Sequence, residues 1–327
     1  MTESDELLED LQGRLPLAYR DIGFMDRPEA RPLRFLSEYL HPLAHFRDHK
    51  IRDTIVFFGS ARTWETGTHG VYYKAARDLS FKLTKWSNEL TEPTRRFVVC
   101  SGGGPGIMEA ANRGAVEAGG KSVGLNIGLP FEQRPNPFIT PGLSFEFHYF
   151  FMRKFWFAYL AKALVVFPGG FGTLDELTEV LTLMQTQKLR KHMSIVLYGT
   201  SFWKEILNFD ALVKHGMIDA NDVNLFKFAD DVDAAFTYLR DDLTAVTQAI
   251  VIARAAAILV RQNLAFALLY NLVAVPAAIF GLVTPLTAAV AMSASSLVVV
   301  TNALRLGGTA RRTAARAHAP TVLQAAE

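Results

Sequence analysis

Nine consecutive residues, Pro168-Gly169-Gly170-Phe171-Gly172-Thr173-Leu174-Asp175-Glu176, combine groups that hold a phosphate with a carboxylate placed beside it. They follow the apolar run Ala163 to Phe167 and precede the helical pattern of Leu177, Val180, Leu181 and Met184. A strand that ends in a glycine-rich turn and opens a helix is a ready anion site. Glycines let backbone N–H groups approach closely, and the helix N-terminus adds partial positive charge. Thr173 offers a hydroxyl to the same phosphate. Glu176 falls one turn into the expected helix, able to face whatever the phosphate carries.

The elements that must position these groups read as alternating strands and helices. Arg96 to Cys100 is a strand that enters a second turn, Ser101-Gly102-Gly103-Gly104-Pro105-Gly106, followed by a helix over Met108 to Ala118. Ile55 to Phe58, Ser122 to Ile127 and Ser194 to Tyr198 are further apolar strands, and Val71 to Trp86 is a helix. Apolar strands separated by helices predict an α/β fold with a doubly wound parallel sheet, Rossmann-like, covered on both faces. Ligands of such sheets bind beyond the carboxyl ends of the strands, where both turns and Gly59-Ser60 fall. Three familiar glycine motifs do not fit. The dinucleotide fingerprint would place its last glycine at Ile107 or Asp175, and a phosphate loop ending at Gly120-Lys121-Ser122 would need glycine where Ala115 stands. The competing reading is that the glycines only make tight turns.

Gly102 to Glu109 together with Pro168 to Glu176 resemble the LONELY GUY (LOG) family, whose members were long labelled lysine decarboxylases. The resemblance covers roughly residues 50 to 240. It implies a Rossmann-like enzyme, usually dimeric, that hydrolyses nucleoside 5′-monophosphates such as AMP or cytokinin riboside monophosphates to free base and ribose 5-phosphate. No cofactor is implied. The family's functional pair maps onto Arg153, in the dipeptide Arg153-Lys154, and Glu176. The phosphate and nucleotide contacts map onto Gly102, Gly103, Gly104, Gly106, Met108, Gly169, Gly170, Gly172 and Thr173, with Ser60, Lys154 and Glu179 in support. The helical stretch Phe35 to Phe46 resembles the arm of the family's long version. The expected organisation is therefore an arm over 1–50, a catalytic domain over 51–240 and a separate tail over 241–327.

The chemistry suits these residues. Breaking an N-glycosidic bond builds positive charge on the ribose ring, and a carboxylate beneath it stabilises that charge and orients a water. Glu176 takes this role. The phosphate cradle fixes the far end of the nucleotide and so positions the scissile bond. Arg153 has three open roles: holding phosphate, holding ribose, or assisting the departing base. It also has a structural alternative, snorkelling from the aromatic run Phe150 to Tyr159. Glu179, one turn beyond Glu176, either supports the site or is an exposed helical acid. No metal is required. His41, His45 and His49 recur at helical spacing, but Pro42 interrupts them and no carboxylate or cysteine joins them. His148 is expected to be a packed strand histidine before it is a substrate contact.

The chain has 327 residues, is 50% hydrophobic and carries a formal charge of +2. That length fits one α/β domain with an appendage, and the near-neutral charge argues against general nucleic-acid binding. A single cysteine, Cys100, rules out an internal disulfide framework and suits the cytosol. Met1 to Asp10 is acidic and is not expected to be a secretory signal. Beyond Leu243 the composition changes. Leu264 to Val283 and Leu286 to Leu304 are apolar spans of about 20 residues each, joined at Thr284-Pro285. Arg254 and Arg261 precede them, and Arg305, Arg311, Arg312 and Arg316 follow, which predicts a hairpin anchored to the inner membrane over 264–304 with both ends in the cytosol. The alternative is a helical pair buried on the soluble domain. Asp241-Asp242-Leu243, Ile258 to Asn271 and Met292-Ser293-Ala294-Ser295-Ser296 resemble the last two membrane helices of heavy-metal P-type ATPases. The Asp-Lys-Thr-Gly loop and Cys-Pro-Cys motif of a pump are missing from the sequence, so the tail reads as a pump remnant fused to the enzyme, serving at most as an anchor, with a non-functional fusion as the alternative. Two competing functions stay open: a nucleotide-binding regulatory module without turnover, and a metal-transport accessory acting through the C-terminal hairpin, which copper binding dependent on Met292 would support.

Overall fold

The computed structural model describes residues 17–90, 96–128 and 134–317. Met1 to Asp10, read above as lacking a signal, lies outside the described residues. The chain divides into two compact units, Met1–Arg240 and Asp241–Glu327.

The first unit is built on a seven-stranded, wholly parallel sheet. Its strands are β1 (Thr54–Phe58), β2 (Val98–Ser101), β3 (Ser122–Ile127), β4 (Ser144–Phe147), β5 (Ala161–Val166), β6 (Ser194–Tyr198) and β7 (Lys227–Ala229), in the spatial order β4-β3-β2-β1-β5-β6-β7. The helices are α1 (Arg31–Asp48), α2 (Gly70–Asn88), α3 (Ile107–Glu117), α4 (Phe150–Leu160), α5 (Phe171–Gln185), α6 (Thr200–Ile206) and α7 (Phe209–Lys214). The central strands are buried on both faces, which is why they read as continuous apolar runs and not as alternations. The edge strand β4 alternates instead, with Phe145 and Phe147 inward and Ser144 and Glu146 outward. From β1 the chain steps outward through β2 and β3 to β4, and α4 then carries it back to β5 on the other side of β1. The order therefore reverses between β1 and β5, and a crevice opens at the carboxyl ends of those two strands.

The N-terminal arm is part of this unit. Tyr39 of α1 stacks on Trp156 of α4 with ring centroids 5.6 Å apart, and Phe46 approaches the same indole at 5.2 Å. Trp156 Nε1 donates to the Glu38 carbonyl at 3.1 Å. The Glu38 carboxylate accepts the N–H groups of His148 (2.8 Å) and Tyr149 (3.3 Å), just ahead of the first turn of α4. Pro42 lies inside α1 and does not interrupt it, so His41 and His45 share the helix and His49 caps its C-terminus. Their rings serve packing: His41 and His45 both meet Phe145 edge-on, while His49 Nδ1 is 2.6 Å from Lys121 Nζ. Among the described residues no group of three or more His, Cys, Asp or Glu is placed to hold a metal. Cys100 is buried in β2, and burial pushes its thiol pKa up.

The tail consists of α8 (Val232–Ile279), which begins in the first unit, and α9 (Pro285–Ala317). Ile252–Ile279 and Pro285–Leu306 are long and apolar enough to cross a membrane, and almost none of either span is buried. The span limits differ from those expected from the sequence. The first helix stops at Ile279, earlier than Val283, because Gly281 adopts φ 71° and the N–H groups of Gly281 and Leu282 close back onto Ala278 and Ala277. Thr284 then starts α9 by exchanging hydrogen bonds with Thr287, ahead of Pro285. At its other end the first span already includes Arg254 and Arg261, which were expected to flank it. Asn302 joins the two helices, its Nδ2 donating to Asn263 Oδ1 at 2.8 Å while Arg305 donates to its Oδ1 at 3.1 Å. Asn271 and Ser295 instead bond to carbonyls of their own helices.

Candidate active site

A cavity of about 690 Å³ occupies the crevice at the β1–β5 reversal. Its walls come from the turn after β1 (Gly59 to Arg62), the turn after β2 (Gly102), the start of α3 (Met108), the end of β3 (Asn126, Ile127), α4 and the first turns of α5. Main-chain bonds join the three turns. Ser60 N donates to the Pro168 carbonyl at 3.0 Å, and the Ser60 carbonyl accepts Ile107 N at 3.1 Å.

Glu176 and Arg153 meet in this cavity. Glu176 is only 5% exposed, on the second turn of α5, and its Oε1 accepts from Arg153 Nη2 at 3.0 Å. It stands five residues past Phe171, the first residue of α5, and so a little over one turn into the helix, as its sequence position implies. The Arg153 guanidinium lies 5.4 Å and 5.5 Å from the ring centroids of Phe150 and Phe157, so it stays within the aromatic run and does not snorkel to solvent. Its Nε is buried with no hydrogen-bond partner among the described residues. Burial raises the Glu176 pKa above the usual glutamate range; Arg153 and Lys154 oppose this, and Glu179 and Asp175 add to it.

The glycines divide into two kinds. A Cβ on Gly169 would stand 2.1 Å from Thr173 Oγ1, and one on Gly106, at φ 68°, would stand 2.4 Å from the Ser60 carbonyl. Packing alone requires glycine at both. Gly170 and Gly172 face open space, with nothing within 4 Å of such an atom. They flank the start of α5, whose first helical bond is Leu174 N to Gly170 O, which leaves the N–H groups of Phe171, Gly172 and Thr173 ahead of the ladder. Two alanine substitutions separate these roles. Gly169→Ala is expected to lower stability by about 1–3 kcal/mol in urea unfolding. Gly172→Ala should unfold like the wild type yet bind AMP more weakly in calorimetry.

Of the residues expected at the site, Ser60, Gly102, Met108, Arg153, Gly170, Gly172, Thr173 and Glu176 line the cavity. Gly103, Gly104, Gly106 and Gly169 do not line it. Asn136 Nδ2 donates to the carbonyls of Gly103 and Gly104 at 3.0 Å each, which fixes the turn from its far side. Lys154 and Glu179 do not line the cavity. Lys154 Nζ sits 2.8 Å from both Asp175 Oδ2 and Glu179 Oε2, and these bonds overcome burial to raise its pKa. His148 is exposed after β4, its ring against Tyr149, and is neither a packed strand residue nor part of the cavity. Sequence reasoning missed Arg62, Asn126, Phe150 and Phe157. Arg62 was open to discovery, two residues past Ser60 at a strand's carboxyl end, whereas nothing in the local pattern marks Asn126.

The arm reaches this site through α4. Glu38→Ala would remove the acceptor for His148 and Tyr149 N–H, one turn ahead of Arg153. We expect a loss of about 1 kcal/mol in stability, in line with a lost helix cap. Turnover should fall as well, and both effects should be smaller in Glu38→Gln.

Residues 108–239 match the family model described as "Possible lysine decarboxylase". Over 194 residues the chain is 28% identical to a protein of Oryza sativa subsp. japonica described as "Probable cytokinin riboside 5'-monophosphate phosphoribohydrolase LOG4", a match covering 58% of this chain and 77% of that protein. The tail matches other proteins. It is 58% identical over 79 residues to the nitrogen fixation protein FixI of Rhizobium leguminosarum bv. viciae, covering 24% of this chain and 10% of that protein. It is 42% identical over 73 residues to a "Probable cation-transporting ATPase" of Haemophilus influenzae, covering 22% and 10% respectively. The chain thus spans a tenth of the length of these tail relatives. Among solved structures, the molybdenum cofactor carrier protein of Chlamydomonas reinhardtii aligns with a TM-score of 0.41 at 21% identity, covering 59% of this chain and 98% of that one.

Proposed function

We propose that this chain, which carries a LOG-type domain, hydrolyses the N-glycosidic bond of a nucleoside 5′-monophosphate, AMP or a cytokinin riboside monophosphate, to free base and ribose 5-phosphate. The observation that carries this reading is the buried Glu176–Arg153 pair in one cavity with the open first turn of α5. The phosphate docks on the N–H groups of Phe171, Gly172 and Thr173 and on the Thr173 hydroxyl. That placement brings the ribose to Glu176. As the C–N bond breaks, its electron pair leaves with the base and positive charge grows on the sugar, where the carboxylate stabilises it. Water adds to the same carbon, and its proton passes through Glu176 to the departing base. Arg153 keeps the buried carboxylate aimed and favours its ionised form, a role beyond the three left open by the sequence. A lysine decarboxylase reading finds no support, since no described lysine lines the cavity. Residues 51–240 act as the catalytic domain with 1–50 as its brace, two copies associate, and 241–327 anchors the domain to the inner face of a membrane. The test is to incubate the full chain with AMP and quantify adenine and ribose 5-phosphate. Equal release of both supports the reading. Binding without release from AMP or N6-substituted adenine nucleotides replaces it with a binding module.

A further inference from the structure

Phe171 is the first residue of α5 and lines the cavity, yet its side chain is 92% exposed, the highest value among the large apolar side chains described. Burying a phenylalanine is worth about 1.5–3 kcal/mol, so a ring left in water at the rim of a cavity is not explained by packing. The glycines on both sides face open space and leave its faces clear. Phe150, the first residue of α4, lines the same cavity and is 51% exposed. The two rings thus belong to the two helices that supply Arg153 and Glu176.

We propose that Phe171 is the specificity-determining platform on which the base of the nucleotide stacks. This inference rests on the nucleotide reading above. A ligand whose phosphate docks on the first turn of α5 and whose ribose lies at Glu176 has one part left, a flat heterocycle. The nearby Asn126 has both Nδ2 hydrogens engaged, by Ser144 Oγ and the Phe145 carbonyl, so it has no donor left for a base edge. Stacking on an aromatic face needs no edge recognition, and its strength grows with ring area. The site therefore favours purine over pyrimidine mononucleotides and accepts substituents on the purine rim.

Calorimetric titration of the full chain in detergent with AMP, CMP and ribose 5-phosphate tests this, using wild type, Phe171→Ala and Phe171→Trp. Phe171→Ala should weaken AMP binding about tenfold while ribose 5-phosphate affinity stays unchanged, and Phe171→Trp should restore AMP binding. In turnover, KM should rise and kcat hold. Equal weakening of AMP and ribose 5-phosphate would show a merely structural role and overturn the proposal. So would AMP affinity that survives Phe171→Ala, or a wild type that binds CMP as tightly as AMP. If the wild type binds AMP but releases no adenine, hydrolysis fails as the function, while the AMP to ribose 5-phosphate ratio still decides the role of Phe171.

Discussion

Glu176→Gln is expected to cut release of adenine from AMP by about a hundred- to a thousandfold, the scale at which a group aimed at developing charge contributes to a rate. The variant keeps the size of the side chain and an oxygen able to accept from Arg153 Nη2, so AMP binding should survive. A matching loss of binding would mean that Glu176 holds the ground state and not the transition state. The pH dependence follows from its surroundings. Burial raises the Glu176 pKa, and hydrolysis needs the carboxylate, so the acid limb of the rate profile should lie above the usual glutamate range. Stability runs the other way. Because the folded protein holds this proton more tightly than the unfolded chain does, the group's contribution is full below the ordinary glutamate pKa. It is lost as pH rises through the raised folded value. Wild-type stability relative to Glu176→Gln should therefore decline across that window, as urea unfolding at a series of pH values would show.

Ending the chain at Thr244 is expected to move the protein from the membrane fraction to the soluble one, with AMP turnover intact. This truncation keeps the buried Ala235, Leu239 and Leu243 and discards both apolar spans. Each span offers enough apolar length to cross a hydrocarbon core, and leaving so much apolar surface in water is unfavourable. Fractionation after alkaline carbonate washing reads the outcome. If the full chain washes off membranes as readily as the truncated one, the spans do not insert.

The strands that hold the site were legible because burial on both faces writes an unbroken apolar run, as in Ile55 to Phe58 and Ala163 to Val166. The edge strands were not. Ser144–Phe147 alternates over four residues and Lys227–Ala229 has only three, too little to distinguish from a loop. The Glu176 carboxylate was legible from its place after a glycine turn. Its contact with Arg153 was suggested by family likeness alone, since the two belong to helices separated by β5. Helical spacing put Glu179 on the face of Glu176 but could not show that Lys154 would pair with it and with Asp175. Phe171 went unremarked because an aromatic residue beside glycines gives no sign of its exposure until the backbone is placed. Pro42 misled because a proline usually breaks a helix through its missing N–H and ring clash, whereas α1 runs through it.

The mouth of the cavity is fastened by the main chain of Ser60, which links the β5 turn on one side to the start of α3 on the other. None of those bonds uses the side chain of Ala61, Arg62 or Phe171. A frame closed by backbone alone leaves its rim positions at liberty to drift. Mutation there can retune which molecule is admitted without loosening the support that holds Glu176. This domain is therefore suited to acquiring new substrates by single changes at its edge, and libraries randomised at Arg62 and Phe171 should yield a high share of folded variants.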